Sequence, residues 1–474
     1  MNRIKKIIHE DYGFFLLLLL FTLVKIPFLS LPYFWDEAWA YANATHFLAE
    51  NKLSLMPDAA PEYFTRGHPL LVHNTVAFFM KNLGATPFVA HSVMLCFSLL
   101  LLGVIYFSVK SLSDRFSALL ITAILMCMPS FFTQSVLVLS EIPLILFSIL
   151  MYAAYSKKNM WLYMLFSVLA LLTKESAIVV VFTFFVFFLI ENRFVFRNYF
   201  SFSMAGILFP FIFWGAYLLL QKSVKGWYVY PEHADLISFS FPDIIKKCLS
   251  YLQIVFFNNG NIAWTFIATG LLAWNIFVKK QKPESKEIKL QMFCTLFIIF
   301  FLLFSSLNFF SSRYVMIVSV AWMIMTVVFA GNLLKEIKWK FLLVVIPVLF
   351  SVISFRMKNI QDTSPGYRDG VKVMQDIIPA LENMNVYNEK IYAPFLIREN
   401  LFSPSLGYRT NTLRFTLLQN SPEGAQYAVT SNFEDDEMRK SIESSTGWEK
   451  KKEFSVNKAT TAIYSRKSES EPAR

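Results

Sequence analysis

Five groups of ionisable residues interrupt a very apolar chain: Asp36-Glu37, Arg66-Gly67-His68-Pro69, Glu141, Lys174-Glu175 and Arg313-Tyr314. A charge at the mouth of a helix bundle is expensive unless it has a partner or a task. Asp36 and Glu37 stand in Tyr33-Phe34-Trp35-Asp36-Glu37-Ala38-Trp39. Adjacent acids between bulky rings are expected to be partly desolvated, and that environment favours a carboxylate that accepts a proton. Arg66 and His68 could face an anionic group, with Gly67-His68-Pro69 making an irregular turn that starts a helix at Pro69. Glu141, in Leu139-Ser140-Glu141-Ile142-Pro143, could order a metal, a basic residue or an acceptor. Lys174 is the base of a long apolar stretch, and the planar fork of Arg313 suits phosphate.

Each group also has a plainer reading. Asp36 before Ala38-Trp39-Ala40 is a good helix N-cap, and Ser140-Glu141-Ile142-Pro143 opens a helix well. His68 reads as a satisfied loop histidine, Lys174 as a side chain snorkelling to the interface, and Arg313 as an interfacial anchor. What favours chemistry is that one topology places all five groups on the same side of a membrane.

That topology follows from the elements around them. The chain has 474 residues, 55% of them hydrophobic and 51 of them Phe, more than the core of a soluble domain can hold, so it reads as a polytopic membrane protein. A helix needs roughly 17–25 apolar residues to cross the hydrocarbon core. Candidate runs fall near 12–30, 87–109, 114–135, 139–156, 159–173, 176–191, 200–221, 259–279, 290–308, 312–333 and 339–356, about eleven spans. The net charge of +11 reads as cytoplasmic loop charge rather than nucleic-acid binding. With the N-terminus inside, the basic loops Lys110–Arg115, Lys157-Lys158, Arg193–Arg197, Lys279–Lys289 and Lys335–Lys340 are all cytoplasmic. The sequence shows no Gly-rich phosphate loop, no zinc-finger spacing and no disulfide framework among Cys96, Cys127, Cys248 and Cys294.

Three outer regions remain. The loop 31–86 carries amphipathic stretches, Ala38–Ala49 and Leu70–Leu83, expected to lie along the interface. The region 222–258 opens with Trp227, Tyr228 and Tyr230, aromatics suited to the headgroup level. After residue 357 turn residues multiply. Strand-like runs at Lys390–Ala393, Tyr427–Thr430 and Thr461–Tyr464 and a helical run at Arg368–Met384 predict a small α/β domain over 357–474, outside the membrane and following a transmembrane domain over 1–356.

The acidic pair after the first span, Gly67-His68-Pro69-Leu70, Ser140-Glu141-Ile142-Pro143, Leu172-Thr173-Lys174-Glu175 and Arg313-Tyr314 together resemble the GT-C membrane glycosyltransferases. The resemblance is to the branch of the protein O-mannosyltransferases and the lipid A aminoarabinose transferase, and it covers about 1–335. It implies a sugar donor on a polyprenyl phosphate, a lipid, glycan or protein acceptor, and inverting transfer at the outer face of the inner (plasma) membrane. By similarity the catalytic base falls on Asp36, with Glu37 beside it. Arg66, His68, Glu141, Lys174, Glu175, Arg313 and Tyr314 then fall to substrate binding. No cofactor is fixed by the resemblance; a divalent metal between Asp36 and Glu141 is the one candidate. A single Pro follows His68 where many members carry two. The competing class is a transporter or lipid flippase, which would place its ionisable residues near the bilayer midplane and break its helices there.

Overall fold

The computed structural model describes residues 10–193, 202–258, 261–335, 342–354, 360–409, 415 and 417–467. Most of the basic loops Arg193–Arg197 and Lys335–Lys340 therefore lie outside the described residues. Among those described, five helices are long and apolar enough to cross a membrane: Pro87–Leu112, Ser203–Lys225, Asn261–Lys279, Ser285–Leu307 and Ser312–Leu333. Shorter apolar helices accompany them at Tyr12–Phe28, Arg115–Cys127, Glu141–Ser156, Met160–Leu171 and Ala177–Glu191. The molecule is a multi-pass helical membrane protein with a small C-terminal sheet domain.

Proline breaks one apolar run. Helix Arg115–Cys127 ends before Pro129, a short helix Pro129–Gln134 follows, and residues 135–140 are irregular until helix Glu141–Ser156 begins. Irregular backbone inside a bundle needs internal partners, because lipid offers none. Lys25, wholly buried, donates to the Phe132 carbonyl. The Ser98 hydroxyl donates to Ser135 O at 2.8 Å. Glu37 completes the set: its Oε1 accepts from the Val138 amide at 2.7 Å and lies 2.8 Å from His91 Nε2, and its Oε2 accepts from the Phe34 amide at 3.2 Å. His91 Nδ1 lies 2.9 Å from Leu29 O, so one buried carboxylate ties the end of the first helix to the segment that delivers Glu141.

Removing that carboxylate is expected to act on the fold. Each buried donor left unpaired costs about 1–3 kcal/mol, and Glu37 serves two backbone amides and a histidine. Glu37→Ala should lower the thermal unfolding midpoint of the purified protein and its yield in membranes; an unchanged midpoint would show that the buried cluster does not hold 135–140.

The segment 31–86 is packed inside the protein along one face. Residues Glu37–Ala42 form a π-helical turn that runs into helix Asn43–Glu50, and Ala38, Tyr41, Ala42 and Leu48 are buried. Their cover is the C-terminal domain. Tyr33, Phe34 and Tyr41 share one apolar core with Tyr367, Val371, Ile377 and Leu401, and Gly370 approaches so closely that a Cβ there would lie 3.0 Å from the Phe34 ring. The Tyr33 amide donates to Leu406 O at 3.2 Å and the Ser403 hydroxyl to Asn43 Oδ1 at 2.9 Å.

The domain itself is a mixed five-stranded sheet in the order β2-β1-β3-β5-β4. The strands are β1 (Ile391–Tyr392), β2 (Leu418–Gln419), β3 (Tyr427–Ser431), β4 (Trp448–Val456) and β5 (Ala459–Arg466). β1 pairs parallel to β2 and β3, and β5 antiparallel to β3 and β4. Helix Tyr367–Asn383 packs on β4 and β5. The expected strands and helix are present within a few residues. β2 and β4 had no sequence signal: β2 is two residues long, and β4 is an exposed edge strand whose Glu449-Lys450-Lys451-Lys452-Glu453 hides the period-two pattern.

Candidate active site

Four separate elements bring their charges to one cavity. Asp36 enters at the π-helical turn, Glu141 at the first residue of helix Glu141–Ser156, Lys174 from the turn between helices Met160–Leu171 and Ala177–Glu191, and Arg313 from the turn that opens Ser312–Leu333. The cavity has a volume of about 980 Å³, at the upper end of the ~300–1,000 Å³ usual for a small-molecule site. Eight of the nine candidate residues line it: Asp36, Arg66, His68, Glu141, Lys174, Glu175, Arg313 and Tyr314. Glu37 does not. It is wholly buried beneath the turn, so its placement beside Asp36 as a second catalytic acid is corrected. At this turn the Asp36 side chain faces the cavity, while that of Glu37 turns into the core.

Arg313 is the hub. Its Nη2 lies 2.6 Å from Asp36 Oδ2, its Nη1 donates to Asp362 Oδ2 at 2.9 Å, and its Nε is 3.2 Å from Glu141 Oε1. Lys174 Nζ donates to the same Glu141 oxygen at 2.7 Å and lies 4.4 Å from the centre of the Tyr314 ring. Glu141 Oε2 is buried without a hydrogen-bond partner among the described residues. These contacts set aside the plainer readings. Asp36 makes no side-chain cap hydrogen bond, and neither does Ser140, whose hydroxyl instead meets Tyr41 Oη at 2.9 Å. Lys174 and Arg313 are buried in ion pairs rather than reaching for the interface.

Asp362 has no forewarning in the sequence beyond an acid soon after the last apolar run, in Ile360-Gln361-Asp362. Burial pushes its carboxyl up to about 6, against the pull of Arg313 and with the push of Asp36 and Glu141. The inner cluster thus sets three carboxylates against two cations. A divalent metal between Asp36 and Glu141 does not fit it, because the Arg313 guanidinium already spans those two carboxylates.

A second group closes another side. Arg66 pairs with Glu232 and stacks over the Trp39 ring at 3.7 Å, while His68 Nδ1 meets Glu175 Oε1 at 2.9 Å. Arg66 has a φ of +50° and Trp35, just before Asp36, one of +58°. Left-handed backbone in non-glycine residues is costly and gathers at functional sites. Gly67 has φ +77°, and a Cβ there would lie 2.8 Å from the Tyr230 Cβ, so glycine is required twice over. The helix expected at Pro69 begins at Leu71. Glu232 and His233 come from helix Pro231–Asp235, which periodicity did not distinguish from the loop around it.

Residues 67–217 match the dolichyl-phosphate-mannose-protein mannosyltransferase family, less than half of the chain. No curated protein matches the sequence significantly. ArnT from Cupriavidus metallidurans in the apo state superposes over 95% of this chain and 98% of its own, with a TM-score of 0.55 at 12% identity. The same protein bound to undecaprenyl phosphate superposes over 94% and 97%, with a TM-score of 0.56 at 13% identity. The chain shares the fold of ArnT. Within that fold the segment matched by the family carries Gly67, His68, Glu141, Lys174 and Glu175, while Asp36, Arg313 and Asp362 join them only through the tertiary structure.

Proposed function

We propose that the protein is a membrane glycosyltransferase that moves a sugar from a polyprenyl-phosphate donor to a hydroxyl acceptor at the extracytoplasmic face. The observation that carries this reading is the meeting of Asp36, Glu141, Lys174 and Arg313 in a single cavity. Support comes from the GT-C fold and from a structural neighbour that holds undecaprenyl phosphate.

The chemistry follows from the groups present. The acceptor oxygen attacks the anomeric carbon, the bond from that carbon to the phosphate oxygen breaks, and the configuration inverts. The acceptor proton passes to the Asp36 carboxylate, and the polyprenyl phosphate leaves with the bonding electrons. Lys174 and Arg313 stabilise its growing charge. Both cations are engaged by carboxylates before the donor arrives. Donor phosphate therefore takes the place of a carboxylate at Arg313, and Asp36, the most exposed of the three at 29%, is the one released. Donor binding and release of the base are then a single event. Lys174 keeps Glu141 oriented, and the unpaired Glu141 Oε2 is free to accept from a sugar hydroxyl.

A flippase would need a polar route through the bundle. The broken segment 135–140 is instead closed by Glu37, Lys25 and Ser98 and contributes nothing to the cavity lining. Incubating the purified protein with radiolabelled polyprenyl-phosphate sugars and a lipid extract tests the two readings. Label in a new product supports transfer. Lipid crossing the vesicle wall without transfer means a flippase.

The orientation has its own test. A cysteine at exposed Pro283, in the Lys279–Lys289 loop, should be closed to an impermeant thiol reagent in whole cells, while one at exposed Ser421 should label. The reverse pattern would put the cavity on the cytoplasmic face.

A further inference from the structure

We propose that the acceptor is a saccharide and that the C-terminal domain supplies its subsite; the proposal rests on the glycosyltransferase reading above. One wall of the cavity belongs to that domain, through Phe395 and Arg398 of helix Phe395–Phe402, Asn420 just after β2, and Glu434 just before helix Asp436–Ser444. None of these residues is used in the transfer step. A sugar ring offers pairs of adjacent hydroxyls, each both donor and acceptor. Planar groups with two oxygens or two N–H donors match such pairs: a guanidinium, an amide and a carboxylate. The wall holds all three kinds, with Asp435 adding a second carboxylate and Gln361 a second amide.

Their engagement within the protein is incomplete. Arg398 donates to Asn420 Oδ1, and its nearest carboxylate oxygen, on Glu399, is 3.9 Å away. Glu434 Oε1 accepts from the Leu396 amide, and among the described residues its buried Oε2 has no hydrogen-bond partner. Burial pushes the Glu434 carboxyl up to about 7, so near neutrality it serves as donor as well as acceptor. The aromatic part is at hand: Trp39 meets Phe395 edge to face at 4.6 Å, and Trp35 lines the same cavity. The negative face of such rings attracts the C–H face of a pyranose. Arg398 faces two acids on this wall, Glu434 and Asp435, a setting that suits a neutral polyhydroxyl better than an anionic headgroup.

A peptide acceptor fits this wall poorly. Peptides commonly dock by adding a strand to an open sheet edge. Here one edge, β2, is two residues long and the other, β4, is a run of charges. The cavity of about 980 Å³ has room for a donor sugar and an acceptor sugar together.

The test uses the full chain in lipid nanodiscs free of sugar detergents. The probes are glucose, galactose, mannose, N-acetylglucosamine and maltose, with a serine-containing octapeptide as comparison, read by saturation-transfer NMR. At least one saccharide should bind in the millimolar range. Binding should weaken at least tenfold in Arg398→Ala and in Asn420→Ala, each checked for an unchanged unfolding midpoint, and stay the same in Lys451→Ala on the exposed edge strand. Absence of saccharide binding, equal binding by the Arg398→Ala and Asn420→Ala variants, or binding of the peptide instead would overturn the proposal. Saccharide binding without transfer from any polyprenyl-phosphate donor would sustain the subsite and remove the glycosyltransferase reading. Transfer to the peptide without saccharide binding would do the opposite.

Discussion

Asp36→Asn is expected to lower turnover by at least ~10²-fold, the low end of what a positioned general base contributes, while leaving the donor bound. Asparagine keeps the size of the side chain and can still meet Arg313, but it cannot take a proton from the acceptor hydroxyl. Donor affinity should hold or rise slightly, because the substitution removes the carboxylate with which the phosphate competes for Arg313. The measurement is single-turnover transfer from a radiolabelled polyprenyl-phosphate sugar alongside donor binding at equilibrium. Glu37→Gln is the instructive partner. Its carboxylate is wholly buried among backbone amides and His91, so any loss should appear as lower stability and yield rather than as a selective fall in turnover per folded molecule. Near-normal turnover in Asp36→Asn, together with abolished turnover in folded Glu37→Gln, would reverse the assignment.

Arg313→Lys is expected to raise the donor concentration needed for half-maximal rate by about 10- to 100-fold, the equivalent of one lost hydrogen bond between charged groups at roughly 1.5–3 kcal/mol. The guanidinium meets three carboxylates from three directions: Asp36 through Nη2, Asp362 through Nη1 and Glu141 through Nε. An ammonium keeps the charge but is a point donor and cannot hold that fork. With Arg313 weakened, Asp36, Glu141 and Asp362 repel one another more strongly, and repulsion among carboxylates is relieved by proton uptake. The variant should therefore recover part of its donor use as pH falls below 7, because burial already raises the Asp362 carboxyl and weakening its Arg313 partner raises it further. A variant with unchanged half-saturation at pH 7 would show that Arg313 does not hold the phosphate.

Much of this was legible in the chain. The excess of apolar residues forces a membrane fold, because no soluble core of this size could hold them. Charged residues at the ends of apolar runs mark the cavity, because burying each of them requires a partner. Eight of the nine candidates lie in that cavity for this reason. The short apolar strands Tyr427–Ser431 and Ala459–Arg466, buried along most of their length, and the amphipathic helix Tyr367–Asn383 were legible too, since burial writes a pattern into the sequence.

What the sequence left open is what depends on direction and on distance along the chain. Asp36 and Glu37 are neighbours with the same chemistry, and only the π-helical turn sends one to the cavity and the other into the core. Asp362 follows Arg313 by 49 residues, and no local period links them. Glu37 meets Val138 across 101 residues, to satisfy amides that Pro129 and the irregular backbone after it would otherwise leave bare. The C-terminal domain looks separate in composition, yet its helix Tyr367–Asn383 shares a core with the segment 31–86 and its residues Arg398, Asn420 and Glu434 form part of a wall of the site. The sequence by itself determined which residues must be buried and which charges must find partners. The tertiary structure decided which partner each one found, because ion pairs and orphaned amides are satisfied by proximity in space, and sequence spacing carries that proximity only within a single helix or strand.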